Sequence, residues 1–257
     1  MPKIALPTAT IAVFMTSVML PTAQAAELGV PRLRAPVAAS VFSWTGLYVG
    51  GHAGYGWANS DWTFDNANFF NPNVGDQIQI QPNGGLGGVQ VGFNYQFNSL
   101  VVGVEGTWSR ANLRRDVVSP FFPTADTEST EVSQIYTVAA RFGAAWDRWM
   151  VYGKAGWAGV EVQLSAASTF DEIQDAGPTF WRPGRQFQNG WVAGAGVEYA
   201  LSSNFILGAE YSHIDLGDAR FAARNTNGVD IASLTSVTSR TTLDTAVVRL
   251  SYKFAGR

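Results

Sequence analysis

The chain contains no cysteine and few charged side chains, and both shortages restrict what it can be. Disulfide bonds cannot hold it together, although small exported domains usually depend on them. Charged residues make up 14% of the 257 positions and form no basic block of the kind that binds nucleic acid. With only two histidines, ligands for a metal are scarce. We therefore expect no cofactor, no metal and no nucleic-acid partner.

The first 25 residues are predicted to be a cleaved signal peptide. Lys3 gives a short basic start, Ile4–Leu20 is mostly apolar, and Ala23-Gln24-Ala25 is a small-x-small cleavage site. An uncleaved anchor is the alternative, which Pro7 disfavours. Residues Ala26–Ser43 are rich in proline and alanine, lack a clear period and are interpreted as a linker. After the leader no apolar run reaches about 18 residues, so no transmembrane helix is expected. An exported chain rich in glycine and aromatics is then a soluble β-protein or an outer-membrane barrel.

Residues Gly88–Phe97, with the sequence GVQVGFNYQF, alternate strictly between large apolar and small or amide side chains. This period of two is typical of a β-strand with one apolar face. The other face is polar but almost uncharged, so lipid is a plausible surrounding for the apolar one. Eight segments with this character are predicted: Trp44–Trp57, Leu86–Phe97, Leu100–Arg110, Val132–Asp147, Trp149–Leu164, Gly190–Leu201, Asn204–Asp215 and Thr241–Phe254.

The connections between these segments alternate in length. Three are tight turns, and four are predicted to be long polar loops, namely 58–85, 111–131, 165–189 and 216–240. Short periplasmic turns and long external loops are typical of transmembrane barrels. We therefore predict an all-β, eight-stranded antiparallel up-and-down transmembrane β-barrel over residues 44–254, with 255–257 as a C-terminal extension. In the fifth segment Glu161 falls on the lipid side, which predicts a bulge near Gly159.

Aromatic residues are predicted to form two girdles at the membrane interfaces. Trp57, Trp108, Trp191 and Tyr211 are assigned to the outer one. The periplasmic girdle is predicted to contain Trp44, Phe97, Trp146, Trp149, Tyr199, Phe205, Tyr252 and Phe254.

Four stretches carry a family resemblance: Trp44–Gly51 (WTGLYVGG), Gly87–Tyr95 (GGVQVGFNY), Val102–Gly106 (VGVEG) and the closing Tyr252-Lys253-Phe254. With them the whole mature chain resembles the alphaproteobacterial outer-membrane immunogenic proteins, porin-family barrels of the OmpA-like and opacity-like group. The resemblance implies an abundant, surface-exposed eight-stranded barrel linked to envelope integrity and host contact, and in some members to haem binding or weak pore activity. It also implies that Tyr252 and Phe254 form the C-terminal signal for the barrel-assembly machinery, although three residues follow Phe254 here.

Six charged residues are predicted to point into the barrel at similar depth, one from each strand from the third to the eighth. The interior of an eight-stranded barrel is just wide enough for side chains to fill. We therefore predict an ionic network that plugs the lumen. The alternative is that the charges line a narrow water channel through which small solutes diffuse. The six residues are Glu105, Arg141, Lys154, Glu198, Glu210 and Arg249.

An enzymatic function is not favoured by the pattern. A hydrolase would need a nucleophile, a base and a carboxylate held together. Glu210, Ser212 and His213 are neighbours in sequence, but Ser212 is predicted to point inward and His213 outward. His52 is interpreted as a polar lumen residue. We therefore expect no catalytic residues.

The predicted loops are the expected place for partner recognition. Loop 58–85 carries Trp62, Phe64, Phe69 and Phe70, and loop 165–189 carries Phe180, Trp181, Arg182, Arg185 and Phe187. Exposed aromatics beside arginine suit lipopolysaccharide phosphates, host surfaces or a flat ligand such as haem. The alternative is that these side chains fold over the barrel rim as a cap. The expected partners are outer-membrane lipid, lipopolysaccharide, the assembly machinery and cell-surface ligands.

Overall fold

The segments with alternating side chains form ten β-strands in the computed structural model. The structure describes residues 42–65, 73–120, 126–168, 180–181, 185–222 and 236–254. The predicted signal peptide, most of the linker and the extension 255–257 lie outside the described residues. Within the described ranges no helix is long and apolar enough to cross a bilayer. The strands are β1 Gly46–Phe64, β2 Gln77–Ile80, β3 Asn83–Phe97, β4 Leu100–Val118, β5 Asp126–Trp146, β6 Trp149–Ser168, β7 Phe180–Trp181, β8 Arg185–Ala200, β9 Phe205–Ala222 and β10 Ser236–Lys253.

Eight of these strands close into a ring, in the order β1, β3, β4, β5, β6, β8, β9 and β10. Each pairs antiparallel with the next, and β10 returns to β1 with a register running from Tyr48 opposite Lys253 to Phe64 opposite Val237. The short strands β2 and β7 are additions to β1 and β6. The predicted all-β, up-and-down barrel is confirmed.

One end of the barrel, here named the turn end, has three short connections. Asn98 and Asp147 begin two-residue turns with φ angles of 54° and 50°, a left-handed conformation that Asn and Asp tolerate. The third turn, 201–204, is stabilised by Ser202, whose hydroxyl oxygen accepts a hydrogen bond from the Phe205 amide at 3.0 Å. The opposite end carries the long connections and is named the loop end.

The face pattern predicted for Gly88–Phe97 is confirmed. Val89, Phe93 and Tyr95 point outward and are about half exposed, whereas Gln90 and Asn94 are buried inside the ring. Outward aromatic residues form a turn-end girdle and a loop-end girdle, and between Trp191 and Tyr199 strand β8 extends about 26 Å at about 3.3 Å per residue. At the usual strand tilt of about 35–45°, this length spans a height of about 20 Å, close to the roughly 25 Å apolar band of outer-membrane barrels.

The strands extend much further toward the loop end than predicted. β4 has 19 residues and β5 has 21, whereas about 9–11 residues suffice to cross the membrane. Much of the four regions predicted as long polar loops is therefore strand, and that prediction was wrong. The reason is an inversion of the pattern: beyond Trp57, strand β1 turns Asp61 outward and buries Trp62 and Phe64 inside.

Two bulges switch the inward-facing parity at this end. Ser133 is an extra residue of β5 between Val132, opposite Val162, and Gln134, opposite Glu161. Strand β6 itself keeps one parity, so the bulge predicted near Gly159 was wrong. Glu161 lies on the outer face with the other odd-numbered residues of β6, where the Gln134 amide donates to it at 2.9 Å. The second bulge, in β9, includes Gly217 with a φ of +64°, a conformation that favours glycine.

The ring of pairings loosens near the loop end. β8 pairs with β9 only as far as Trp191 opposite Asp215; in the described residues its remaining segment 185–190 pairs with β6 alone. Likewise, among the ranges that the structure describes, β2 pairs with β1 alone. Beyond the loop-end girdle, the wall of the barrel therefore consists of two sheets, and both pack against one interior core.

Candidate functional site

The six charged side chains predicted for the lumen are all buried inside the ring. Their exposed fractions range from 2% to 8%. They come from six consecutive ring strands, and the inward parity of each strand directs them to the barrel axis. The cross-strand register places Arg141 directly opposite Lys154. Three carboxylates thus meet three cations at one level.

Arg249 lies at the centre of the cluster. Its guanidinium is ion-paired with Glu105 and with Glu210, and its Nη1 also donates to Glu105 Oε1 at 3.1 Å. Its Nε lies 3.8 Å from Glu198 Oε1. One cation therefore contacts all three carboxylates.

The other two cations complete the network. Arg141 Nη2 donates to Glu198 Oε1 at 2.7 Å, and its Nη1 lies 3.4 Å from Glu105 Oε2. Lys154 Nζ donates to Glu210 Oε1 at 2.6 Å and lies 3.9 Å from Glu105 Oε1. The structure thus brings all six residues into one connected ionic layer with no formal excess charge.

Two tyrosines in this layer were missed by the sequence reasoning. The Tyr48 hydroxyl donates to Glu105 Oε2 at 2.7 Å, and the Tyr152 hydroxyl donates to Glu210 Oε2 at 2.6 Å. The Arg141 guanidinium carbon lies 3.8 Å from the centre of the Tyr152 ring, a cation–π contact. Parity could have found both, since Tyr48 shares the inward face of β1 with His52 and Tyr152 that of β6 with Lys154.

On the loop-end side of the ionic layer, the interior is mainly apolar, with buried hydroxyl groups such as those of Ser60 and Thr241 among the apolar side chains. Buried side chains from nearly every strand form one cluster, here named the loop-end apolar layer. Trp62 and Phe64 belong to it, so neither is an exposed recognition residue; the alternative, that they cover the interior at the rim, is closer to the structure, although they do so from strand β1 and not from a loop. Their inward parity on β1 explains the difference. Its members include Trp62, Phe64, Leu113, Leu164, Phe221 and Leu243.

On the turn-end side, a smaller cluster closes the interior, here named the turn-end apolar layer. Trp44 is fully buried in it against Val101, Met150 and Ile206. The Trp44 amide donates to Gln96 Oε1 at 2.8 Å, which fixes the segment before β1. Trp44 was predicted to be part of the outward girdle; the chain instead enters the barrel there, because the segment before β1 folds inward.

A small cavity of about 30 Å³ lies between the ionic layer and the loop-end apolar layer, lined by Lys154, Glu210 and Arg249 among others. His52 lies at its wall, with Nδ1 2.7 Å from Gln90 Oε1 and Nε2 2.8 Å from Ser109 Oγ. A cavity of this size has room for one or two water molecules. It is far smaller than the pockets of about 300–1,000 Å³ that hold small-molecule ligands.

The remaining predicted residues lie apart from this interior. Ser212 points inward, where its hydroxyl donates to Glu210 Oε1 at 3.2 Å, while His213 points outward and contacts Asp244. Tyr252 and Phe254 are exposed on the outer face at the turn end. In the described ranges no group of three histidine, cysteine or acidic side chains is arranged to hold a metal ion.

Several residues of the predicted recognition loops fall outside the part of the chain that the structure describes. Phe69, Phe70 and Arg182 lie outside the described residues, and the side chains of Phe180 and Trp181 are not described. Arg185 and Phe187 are exposed on the outer face of β8. Phe187 contacts Trp157, with ring centres 6.2 Å apart. It is therefore part of the outward aromatic surface.

A closed antiparallel ring with an apolar outer band, two aromatic girdles and a polar middle layer defines an outer-membrane β-barrel. The comparisons agree: residues 11–254 match the family described as outer membrane protein beta-barrel domain. The chain belongs to this family.

Similar proteins include the 31 kDa outer-membrane immunogenic protein of Brucella melitensis biotype 1, which is 35% identical over 251 residues, covering 95% of this chain and 96% of that protein. The 25 kDa outer-membrane immunogenic protein of Brucella abortus biovar 1 is 28% identical over 233 residues, covering 87% and 86%. Among solved structures, the outer membrane protein OprG from Pseudomonas aeruginosa is similar with a TM-score of 0.47 and 12% identity, covering 83% of this chain and 98% of that one.

Proposed function

We propose that this barrel is a closed structural protein of the outer membrane, whose lumen is plugged and whose loop end makes surface contacts. The observation that carries the proposal is the stacking of three interior layers. The ionic layer lies between the turn-end and loop-end apolar layers, and the cavity that remains beside it measures about 30 Å³. A hydrated solute has no room to pass.

The ionic layer resists opening because its charges are matched and buried. A permeating ion would have to separate Arg249 from at least one of its carboxylates. Leaving one partner of a buried pair uncompensated costs about 3–5 kcal/mol. The two apolar layers add a second obstacle, since each separates the charges from the bulk water at its end of the barrel.

Export and orientation form part of the same proposal. The leader is removed after Ala25, both chain ends face the periplasm, and Tyr252 and Phe254 are read by the assembly machinery. Arg110 and Arg114, which are exposed on the outer face of β4 near the loop end, suit the phosphates of lipopolysaccharide. Together with the barrel's anchoring, such contacts give it a role in envelope integrity.

The plug is tested by recording from planar bilayers that contain the folded full-length barrel. We expect no stable conductance steps, while a general porin reconstituted in parallel conducts. Incorporation is checked on the same preparation by a heat-modifiable band in electrophoresis. Reproducible single-channel openings of the wild-type protein would overturn the proposal and establish the narrow diffusion channel.

One specific observation favours the channel alternative: the cavity is lined by polar groups, namely the charged side chains of the ionic layer and hydroxyl groups such as that of Ser212. Permeation would require those charges to be hydrated and separable. Swelling of liposomes in glycerol or a small sugar measures this directly and is independent of ion selectivity.

Topology is tested by adding protease to intact cells that express the barrel. Cleavage confined to the four long connections supports loops outside and both ends in the periplasm. Cleavage at the turns near Asn98 or Asp147 would contradict this orientation.

A further inference from the structure

A second polar cluster lies on the outer surface of the barrel, within the loop-end girdle. Asp244 of β10 accepts two hydrogen bonds at Oδ1, from the Tyr211 hydroxyl at 2.6 Å and from His213 Nδ1 at 2.8 Å. Its second oxygen, Oδ2, accepts none from the described residues. The Asp244 and His213 side chains are 17% and 38% exposed.

Aromatic rings frame this carboxylate. Trp57 lies directly across from Asp244 in the β1–β10 pairing, and its ring centre is 6.3 Å from that of Tyr211. On the other side, the Trp191 ring lies 5.5 Å from the His213 ring. All three aromatic side chains are exposed to the outside.

A carboxylate at this position calls for an explanation. Ionisable side chains on the lipid face of a barrel destabilise it in a depth-dependent way, and such residues mark functional sites by default. The Asp244 carboxylate brings negative charge to the Tyr211–Asp244–His213 cluster. The free Oδ2 and the electron-rich faces of the rings favour the same kind of group, a cation.

We propose that Asp244, Tyr211, His213, Trp57 and Trp191 form a binding site for the primary ammonium group of a membrane lipid. The ligand is a lipid because the cluster faces outward at the height of the girdle, the layer that head groups occupy. The ammonium donates to Asp244 Oδ2 and lies against the faces of the flanking rings. A phospholipid amine and an amino sugar on lipid A share this chemistry.

The site is tested by native mass spectrometry of the folded barrel released from lipid nanodiscs. The nanodiscs contain phosphatidylethanolamine or its N-acetylated derivative, which keeps the phosphate and chains but lacks the ammonium. A parallel pair contains lipid A with or without an amino-sugar substituent. We expect the wild-type barrel to retain one of the two amine lipids about fivefold better than its partner lacking the amine, a ratio typical of one partly exposed ion pair.

The Asp244→Asn variant should reduce that ratio to near one. Glu161→Gln is the matched control: Glu161 is likewise a hydrogen-bonded carboxylate on the outer face, accepting from Gln134 at 2.9 Å, but it lies on β6, outside the cluster. Heat-modifiability checks that both variants fold. Which amine lipid is retained identifies the source. Equal retention by the wild type in both pairs, an unchanged ratio in Asp244→Asn, or an equal loss in Glu161→Gln would overturn the proposal.

Discussion

The pair formed by Arg141 and Glu198 offers the sharpest test of how the barrel interior works. Their side chains are 2% and 4% exposed and lie 2.7 Å apart. Changing Arg141 to Met keeps most of its volume but leaves Glu198 with only the more distant Arg249 Nε at 3.8 Å. Changing Glu198 to Leu leaves the Arg141 guanidinium in turn with one carboxylate fewer.

Each single change is expected to destabilise the barrel by about 3–5 kcal/mol, the usual effect of stranding one buried charge. The double variant restores equal numbers of positive and negative charges in the layer. It should therefore be much more stable than the sum of the single effects predicts, with a coupling free energy of about 3 kcal/mol.

The assay is reversible urea unfolding of the barrel in lipid vesicles, followed by tryptophan fluorescence and by the heat-modifiable band. Glu161→Gln serves as a control, since this carboxylate lies partly exposed on the outer face and its loss should change stability by less than about 1 kcal/mol. Additive single effects, or single effects as small as the control, would mean that water solvates the lumen charges. The plugged lumen would then be refuted.

Three further changes probe the elements that close and shape the barrel, all measured by the same unfolding assay. Trp44→Ala empties the turn-end apolar layer and should cost about 3–5 kcal/mol; a smaller effect would mean that the layer does not depend on this ring. Deleting Ser133 should leave the heat-modifiable band in place, because Val132 and Gln134 already pair with the adjacent residues Val162 and Glu161 and keep their faces once the extra residue is gone; loss of the band would contradict the assigned bulge. Gly217→Ala should cost about 1–2 kcal/mol because of its left-handed backbone, whereas Gly217→Asn should be tolerated better, and the reverse order would argue against that conformation.

The membrane-height part of the barrel could be predicted because the surroundings alternate strictly there. Val89 and Phe93 must face lipid while Gln90 and Asn94 face the interior, so each strand shows its period directly in the sequence. The same parity rule assigned Glu105 and Arg249 to one interior level. It did not place Trp44, because the rule says nothing about a segment that precedes the first strand and folds inward.

The loop-end half could not be predicted in this way. There water replaces lipid outside, so the same strand reverses its pattern, with Asp61 outward and Trp62 inward. A prediction that requires apolar residues on the outer face therefore ends the strand at the point where the pattern reverses. Bulges such as the one at Ser133 also change which residues of a strand face inward. They can be recognised only from the pairing of that strand with its neighbour.

The amino-acid sequence by itself determined the class of this protein, since a period of two and a shortage of charge leave few places other than an outer membrane for so much outward apolar surface. Only the tertiary structure decided which charges meet. Arg249 contacts Glu105 across a sequence separation of 144 residues because the ring closes between β10 and β1, and no local pattern encodes that closure. The same closure places Trp57 beside Asp244 and so creates the outward cluster that strand order alone does not reveal.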